Sequence, residues 1–217
     1  MTEAVIHAVR DGHVVTLTLN RPAKRNALSA KVRDGLVAEL AKAAGDDGVG
    51  AVLLAAAGDH FCAGFDLDEI AAADDPAAVF AHANAYHHHV HTFPKPIVAA
   101  VRGSAVAGGL DLALMCDIRV AGASARFGQP QVKHGIPAAF DLTASVVGDA
   151  AARDLCLSGR VIDSADALRI GLVHQVVADA DLADVARDLA ETIAATPAAA
   201  ATKRSILASQ PTIFDAG

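Results

Sequence analysis

The chain has few aromatic residues and few cysteines. Its 217 residues include no tryptophan, aromatic residues make up 4%, and cysteine occurs only at Cys62, Cys116 and Cys156. An odd number of widely spaced cysteines argues against a disulfide framework and provides no metal-ligand spacing. We therefore expect three reduced thiols, as in proteins of a reducing compartment.

Basic charge and long apolar runs are also scarce. The 18 lysines and arginines are outnumbered by 25 aspartates and glutamates, which gives a net charge of −7 and argues against a general nucleic-acid binder. No uncharged apolar run approaches the roughly 20 residues of a membrane span, and no secretory signal opens the chain. These absences predict a soluble, cytoplasmic protein with no nucleic-acid or membrane partner.

Small and aliphatic residues are abundant, and their pattern predicts an α/β fold. Hydrophobic residues make up 53% of the chain, enough for a sizeable core. Apolar alternation predicts strands at 4–9 and 14–19, and continuous apolar runs at 51–56 and 97–101 are typical of strands buried on both faces. Helical patterns lie between them, so we expect largely parallel strands. Residues 1–180 are predicted to form this core, and residues 181–217 a C-terminal helical segment.

Two glycine-rich segments are the most informative part of the sequence. FCAGFDL occupies 61–67, and GSAVAGGLDLALMCDI occupies 103–118. The second runs from Gly108-Gly109 into a helical pattern that carries Asp111. Two converging backbone N–H groups, one at a helix N-terminus, stabilise a developing oxyanion. If the loops meet, the protein binds a carbonyl group; close packing of helix on strand is the alternative reason for these glycines.

The order of several short motifs identifies a family. The chain resembles the crotonase, or enoyl-CoA hydratase/isomerase, superfamily over about residues 5–205. The motifs are NRP-x-x-x-NAL (20–28), FCAGFDL, KPIVAAVRG (95–103), the glycine pair, CDIRVA (116–121), FGQP (127–130) and ADALRIGLVHQVV (165–177). The resemblance implies a crotonase-like spiral of ββα units, assembled as a homotrimer or a dimer of trimers. It also implies an acyl-CoA thioester substrate, with coenzyme A entering as part of that substrate and no separate cofactor.

The resemblance also assigns roles to residues. The backbone N–H groups of Phe65 and Gly108 would form the oxyanion hole. The residues expected along coenzyme A are Lys24, Arg25 and Ala27 at the phosphates and pantetheine, and Ala63, Asp66 and Leu67 at the adenine end. The basic pair suits phosphate, although an ordinary solvated turn explains it equally well.

The catalytic positions depart from the usual hydratase pair of glutamates. The first glutamate is replaced by Asp111, which keeps the charge on a shorter side chain; a carboxylate placed there only for the helix dipole is the alternative. The second is replaced by Gln131, whose amide cannot take a proton near neutral pH and can only orient a water or substrate oxygen.

A further carboxylate stands in the segment GIPAAFDLTASVVG (135–148). Asp141 lies there in an apolar run, where burial would raise its pKa and suit it to proton transfer. The alternative is a turn or N-cap aspartate before Leu142. We therefore expect Asp141 as a possible second catalytic carboxylate.

The histidine run YHHHVH (86–91) suggests a metal site only weakly. His87 and His91 are spaced to share a helix face, but no carboxylate or cysteine completes a ligand set nearby. We favour a solvated or cavity-lining helix without metal, with His87 against the acyl group. Ser104 lacks a nucleophile elbow and is interpreted as a turn residue.

Two hypotheses about function follow. The first is an enoyl-CoA hydratase/isomerase in which Asp111 transfers protons and Gln131 holds a polar group; a single usable carboxylate favours a 1,3-proton shift over hydration. The second is an acyl-CoA-binding homologue that has lost catalysis, favoured by Gln131 and by a C-terminal segment shorter than in the family. A protease of similar spiral shape lacks support, because no credible Ser-His-Asp order is present.

Overall fold

The computed structural model describes residues 4–210 and 213. The predicted limits 1 and 217 of the two segments lie outside these residues. A larger sheet is formed by β1 (Ile6–Asp11), β2 (Val14–Leu19), β3 (Ala51–Ala56), β4 (Ile97–Val101), β6 (Ile118–Gly122) and β9 (Gln175–Val177). A smaller sheet contains β5 (Ser104–Val106), β7 (Arg126–Gly128) and β8 (Val161–Asp163).

Helices connect most of these strands. They are α1 (Ala30–Gly45), α2 (Leu67–Ala72), α3 (Pro76–His91), α4 (Gly108–Met115), α5 (Phe140–Ser158), α6 (Ser164–Arg169), α7 (Leu182–Ala194) and α8 (Ala199–Ser209). Short 3₁₀ turns occupy Pro22–Lys24 and Pro130–His134. The predicted alternation of strands and helices is confirmed.

The larger sheet is mainly parallel, as predicted. Its strand order is β1-β2-β3-β4-β6-β9. β1 and β2 form an antiparallel hairpin, whereas β2 with β3, β3 with β4, β4 with β6 and β6 with β9 pair in parallel. In the smaller sheet β5 lies parallel to β7, and β8 is antiparallel to β7.

Both faces of the sheet are covered by helices, which explains the continuous apolar runs. Alternate residues of β3 enter two different clusters: Val52 and Leu54 join the main core with α1, α3 and α4, and Leu53 joins a second cluster. Helix α7 builds that second cluster with Ala186 and Ala190. Side chains of a strand alternate between faces, so a strand covered on both sides must be apolar throughout.

Some predicted elements differ from the observed ones. The strand expected at 172–177 begins only at Gln175, because the N–H groups of Leu172 and Val173 donate to the carbonyl of Ala167 at the end of α6. Ser104 opens β5 and is not a turn residue. The segment after 139 forms a helix, α5, interrupted at Gly148, where φ is +76°.

The end of the described chain is tied to the strand β4 through Asp117. Helix α8 is held by Lys203, whose Nζ lies 2.5 Å from Oδ1 of Asp117. The other carboxylate oxygen of Asp117 accepts from the backbone N–H of Ile97 at 2.8 Å. Within the described residues, no helix has the length and apolarity needed to cross a lipid bilayer.

Candidate active site

The loop that follows β3 is fixed by one buried side chain. Asn26, 1% exposed, donates through Nδ2 to the carbonyls of Ala57 at 2.9 Å and His60 at 2.8 Å. A little further on, the N–H of Leu28 donates to the carbonyl of Gly64 at 2.8 Å. These bonds set the path of the loop that carries Phe65.

The two predicted amide donors lie side by side. A Cβ added to Gly108 would stand 3.5 Å from the nitrogen of Phe65, and one added to Gly64 would stand 3.1 Å from the nitrogen of Gly108. Neither Phe65 N–H nor Gly108 N–H donates to any acceptor among the described residues. Gly108 is the first residue of α4, so its N–H belongs to the free donors at a helix N-terminus. The arrangement suits a carbonyl oxygen that gains negative charge.

The turn between β5 and α4 has an unusual backbone. Ala107, which precedes the helix, has φ +52° and ψ −131°, a region in which a side chain costs about 1–3 kcal/mol. Its N–H donates to the carbonyl of Gly128 at 3.0 Å, and its own carbonyl accepts from Leu110 and Asp111. These bonds hold the turn that leads into α4 and places Gly108 at its first position.

Asp111 is a buried carboxyl group in the first turn of α4. It is 5% exposed, and burial raises its pKa from 3.8 to about 7, partly offset by a hydrogen bond from Gln129. That bond runs from Nε2 of Gln129 to Oδ1 of Asp111 at 2.8 Å. Oδ2 accepts no hydrogen bond from the described residues, so it is available to a ligand. A group with a pKa near 7 can both take and return a proton at neutral pH.

Gln131 is connected to Asp111 through Gln129. Nε2 of Gln131 donates to Oε1 of Gln129 at 2.8 Å, and Gln129 in turn donates to Asp111. Both amide groups therefore present their donors toward the carboxylate. Oε1 of Gln131 is buried and has no partner among the described residues. An unpaired buried acceptor of this kind costs about 1–3 kcal/mol, which a ligand hydroxyl or water would relieve.

These groups share one cavity of about 460 Å³. Its lining residues include both amide donors, Asp111 and Gln131. His87 of α3 also lines it, as expected from the sequence, and burial followed by the nearby Arg33 charge lowers its pKa to about 4. The imidazole is therefore neutral at physiological pH. The size of the cavity is within the range of small-molecule sites.

The expected burial of Asp141 is wrong. Asp141 is exposed and does not line the cavity, whereas its neighbours Leu142 and Thr143 are buried. It stands in the first turn of α5, where helical periodicity directs Leu142 and Thr143 inward and leaves Asp141 in solvent. The alternative interpretation, an aspartate at a helix start, describes it better.

Of the six residues expected along coenzyme A, two line the cavity and four do not. Ala63 and Leu67 line the cavity, and the N–H of Ala63 donates to the carbonyl of Arg25 at 3.0 Å. Arg25 is exposed, with φ +49°. Lys24 pairs with Asp68 at 2.8 Å on the surface, and Ala27 is half-buried.

The side chain of Asp66 is used within the protein. It caps α2 by accepting from the N–H of Asp68 at 3.1 Å and forms an ion pair with Arg21. Burial opposes ionisation of Asp66, but the hydrogen bond and charge of Arg21 prevail and lower its pKa. The side chain of Asp66 is therefore committed to the start of α2 and to Arg21.

Sequence reasoning missed two residues of the site. Gln129, 0% exposed, was present in the motif FGQP but no pattern indicated that it binds Asp111. Arg33 is buried on α1 next to Val32. A charged residue beside an apolar stripe was the feature of the sequence that could have indicated a buried ion pair. Among the described residues no group of three histidine, cysteine, aspartate or glutamate side chains has a geometry suited to a metal ion.

The fold and the cavity together define a class: an α/β protein in which two residues with unpaired backbone amides line one cavity with a buried carboxyl group. Comparison with known proteins agrees. The family model for enoyl-CoA hydratase/isomerase matches residues 10–212. The chain belongs to the enoyl-CoA hydratase/isomerase family.

Individual relatives support this assignment. A Rhizobium meliloti protein named "Probable enoyl-CoA hydratase" is 40% identical, over 90% of this chain and 78% of its own length. The 2,3-dehydroadipyl-CoA hydratase of Escherichia coli is 36% identical, over 100% of this chain and 86% of its own length. The crystal structure of an enoyl-CoA hydratase from Bacillus anthracis superposes with a TM-score of 0.89 at 30% identity, covering 93% of this chain and 82% of that one. The predicted fold class is thereby confirmed.

Proposed function

We propose that the protein binds an enoyl-CoA thioester with its carbonyl oxygen between the N–H groups of Phe65 and Gly108, and that Asp111 moves a proton along the acyl chain. One observation carries the proposal: two unused amide donors and a carboxyl group with a pKa near 7 line the same cavity. Loss of one donor from such a pair typically reduces the rate about 10²–10³-fold.

The chemistry fits a 1,3-proton shift. The carboxylate of Asp111 takes the proton from C2 of a 3-enoyl thioester, and the C–H electron pair moves into a dienolate whose oxygen charge the two amides stabilise. The protonated Asp111 then returns the proton to C4, and the double bond comes to rest between C2 and C3. The same carboxyl group acts as base and then as acid, which its pKa permits.

Gln131 sets the balance between this reaction and hydration. Its amide cannot remove a proton from water, but its unpartnered Oε1 accepts a hydrogen bond from a water or a substrate hydroxyl. We expect isomerisation to exceed hydration for this reason. Binding without turnover is the second candidate, which Gln131 also favours.

Activity measurements on paired substrates test the proposal. Purified protein is assayed with 3-enoyl-CoA and with crotonyl-CoA, together with the Asp111→Asn variant. We expect isomerisation that the substitution abolishes while affinity for coenzyme A thioesters is retained. Asp141→Asn is the matched control, an exposed aspartate that leaves activity unchanged. Activity of Asp111→Asn equal to that of the wild type would remove Asp111 from the mechanism, and thioester binding without turnover by the wild type would establish the second candidate.

We further propose that Lys24 and Arg25 contact the phosphates of coenzyme A. Both side chains are exposed, and the Arg25 backbone is bonded to the cavity-lining Ala63. Replacement of either by alanine should weaken thioester binding and reduce its salt dependence, without changing kcat at saturation. Equal affinity and equal salt dependence in the variants would assign the pair to an ordinary surface turn.

Assembly and location remain predictions. We propose a homotrimer or dimer of trimers in the cytoplasm, supported by family membership. Light scattering of the purified protein measures its mass in solution directly, and a monomeric mass would refute the assembly.

A further inference from the structure

Arg33 is a buried cation outside the catalytic groups described above. It is 2% exposed and makes three hydrogen bonds: Nη1 to the carbonyl of Leu28 at 2.7 Å, Nη2 to Oε1 of Glu69 at 2.8 Å, and Nε to Nδ1 of His82 at 3.0 Å. A buried ion pair gives little net stability compared with apolar packing of the same volume. Its position therefore invites a role besides stability.

Each hydrogen-bond partner of Arg33 lies in, or is paired with, a segment that lines the cavity. Leu28 forms a parallel bridge with Phe65, so the carbonyl that Arg33 binds belongs to the segment paired with the donor loop. Glu69 lies in α2 and also accepts from the N–H of Ala30 at 2.7 Å, at the start of α1. His82 lies in α3, the helix that contributes His87 to the cavity wall. One guanidinium thus joins α1 to both helices of that wall.

Arg33 also touches the ring of Phe65 directly. Its Cζ lies 5.5 Å from the ring centroid, within the range of a cation–π contact. On another side, the ring is so close to Gly108 that a Cβ there would come within 2.8 Å of two ring atoms. His87 meets the ring edge-on, with a centroid distance of 5.7 Å. The ring therefore contacts the guanidinium, the imidazole of His87 and the residue that provides the second amide donor.

We infer that Arg33 is a positioning residue: it holds the Phe65 ring against Gly108 and so fixes the spacing of the two amide donors. The inference rests on the proposed function of those donors. Arg33 itself does not line the cavity and acts only through Phe65. A misplacement of about 1 Å in such a site can reduce the rate about 100-fold, so a side chain that sets this spacing affects catalysis without touching substrate.

A chromophoric ligand reports on the donors without turnover. The probe is the 4-(dimethylamino)cinnamoyl thioester of coenzyme A, whose absorption moves to longer wavelength when hydrogen bonds polarise its carbonyl. We expect a red shift on binding to the wild type, and a smaller one with Arg33→Met at unchanged affinity for free coenzyme A. With turnover substrate, kcat should fall about tenfold to a hundredfold while KM changes little. Arg33→Lys should rescue little, because an ammonium keeps the charge but not the planar fork.

Arg153→Met is the matched control. Arg153 lies 5.4 Å from the ring centroid of Phe140, so this variant removes a similar cation–π contact away from the cavity. It should leave both the red shift and kcat unchanged. Melting temperatures of both variants show how much of the Arg33 effect comes from loss of stability.

A double-mutant cycle separates positioning from a general structural role. If Arg33 acts through the ring, Arg33→Met should have almost no further effect on the red shift in a Phe65→Leu background. Additive losses, or a full red shift in Arg33→Met, would overturn the inference. If Arg33→Met does not fold, the same cycle with Arg33→Lys decides the question. Absence of a red shift in the wild type would instead refute the oxyanion hole itself, and the role of Arg33 with it.

Discussion

Replacing Asp111 by asparagine measures the energetic cost of its buried carboxylate. Burial raises the pKa of Asp111 from 3.8 to about 7, and one pKa unit corresponds to about 1.4 kcal/mol. Above pH 7 the ionised group therefore destabilises the fold by on the order of 4 kcal/mol. Asparagine has no such ionisation and keeps an oxygen that can accept the hydrogen bond from Gln129.

The sign of the effect follows from proton binding. Below about pH 4 the carboxyl group is protonated in the folded and unfolded chain, so its ionisation contributes no difference in stability between the variant and the wild type. Between about pH 4 and pH 7 the folded wild type binds the extra proton, so its stability relative to Asp111→Asn falls as the pH rises. Above the folded pKa the difference is constant, with the variant more stable.

Urea unfolding followed by circular dichroism, at several pH values from about 4 to 8, measures this difference. Asp66→Asn is a control of opposite sign, because the pKa of Asp66 is lowered by its ion pair with Arg21. Its carboxylate stabilises the fold fully above about pH 4, so that variant should be less stable than the wild type by a constant margin across this pH range. If Asp111→Asn and the wild type were equally stable at about pH 8, Asp111 would not be a destabilised, buried carboxyl group.

Three further outcomes follow from the packing. Gly109→Ala places a Cβ 2.2 Å from the carbonyl oxygen of Cys62, so it should lower the free energy of unfolding by about 1–3 kcal/mol. An unchanged melting temperature would contradict this contact. Gln129→Leu removes the hydrogen bond that lowers the pKa of Asp111, so the rising limb of the kcat/KM–pH profile should move to higher pH. A limb that stays in place would show that Gln129 does not influence the pKa of the catalytic carboxyl group. Lys203→Met removes the cation from the half-buried carboxylate of Asp117. Denaturant unfolding should show a loss smaller than the about 3–5 kcal/mol of a fully buried pair, whereas a change within error would mark the pair as dispensable.

The sequence was most informative where burial imposes a simple pattern. The run 51–56 predicted β3 correctly because both faces of that strand are covered, and its apolar composition therefore has no polar interruption. The glycine-rich loops raised the possibility that the two segments meet, and the family resemblance named Phe65 and Gly108, which do lie in contact. Glycine there is required by space, since a Cβ on Gly108 would collide with the ring.

Asp141 was predicted wrongly from the sequence and Arg33 was missed, for different reasons. Asp141 stands among apolar residues in the sequence, but it lies in the first turn of α5, on the helix face that points to solvent. Arg33 stands on an apolar stripe because its partners Glu69 and His82 come from two other helices, 36 and 49 residues away. Neither local periodicity nor composition contains that information.

The direction of the amide chain explains why a glutamine at position 131 changes the chemistry of the whole site. Gln131 donates to Gln129, and Gln129 donates to Asp111, so one N–H of each amide is committed and Oε1 of Gln131 is left without a partner among the described residues. A carboxylate at position 131 has no N–H to donate to Oε1 of Gln129, so the hydrogen bond that fixes the orientation of Gln129 would be lost. The glutamine thus lets Asp111 be the one titrating group of the chain, with Gln129 held in a single orientation. A site built this way returns a proton to the carbon skeleton more readily than it activates water, because the group placed to hold water cannot accept a proton.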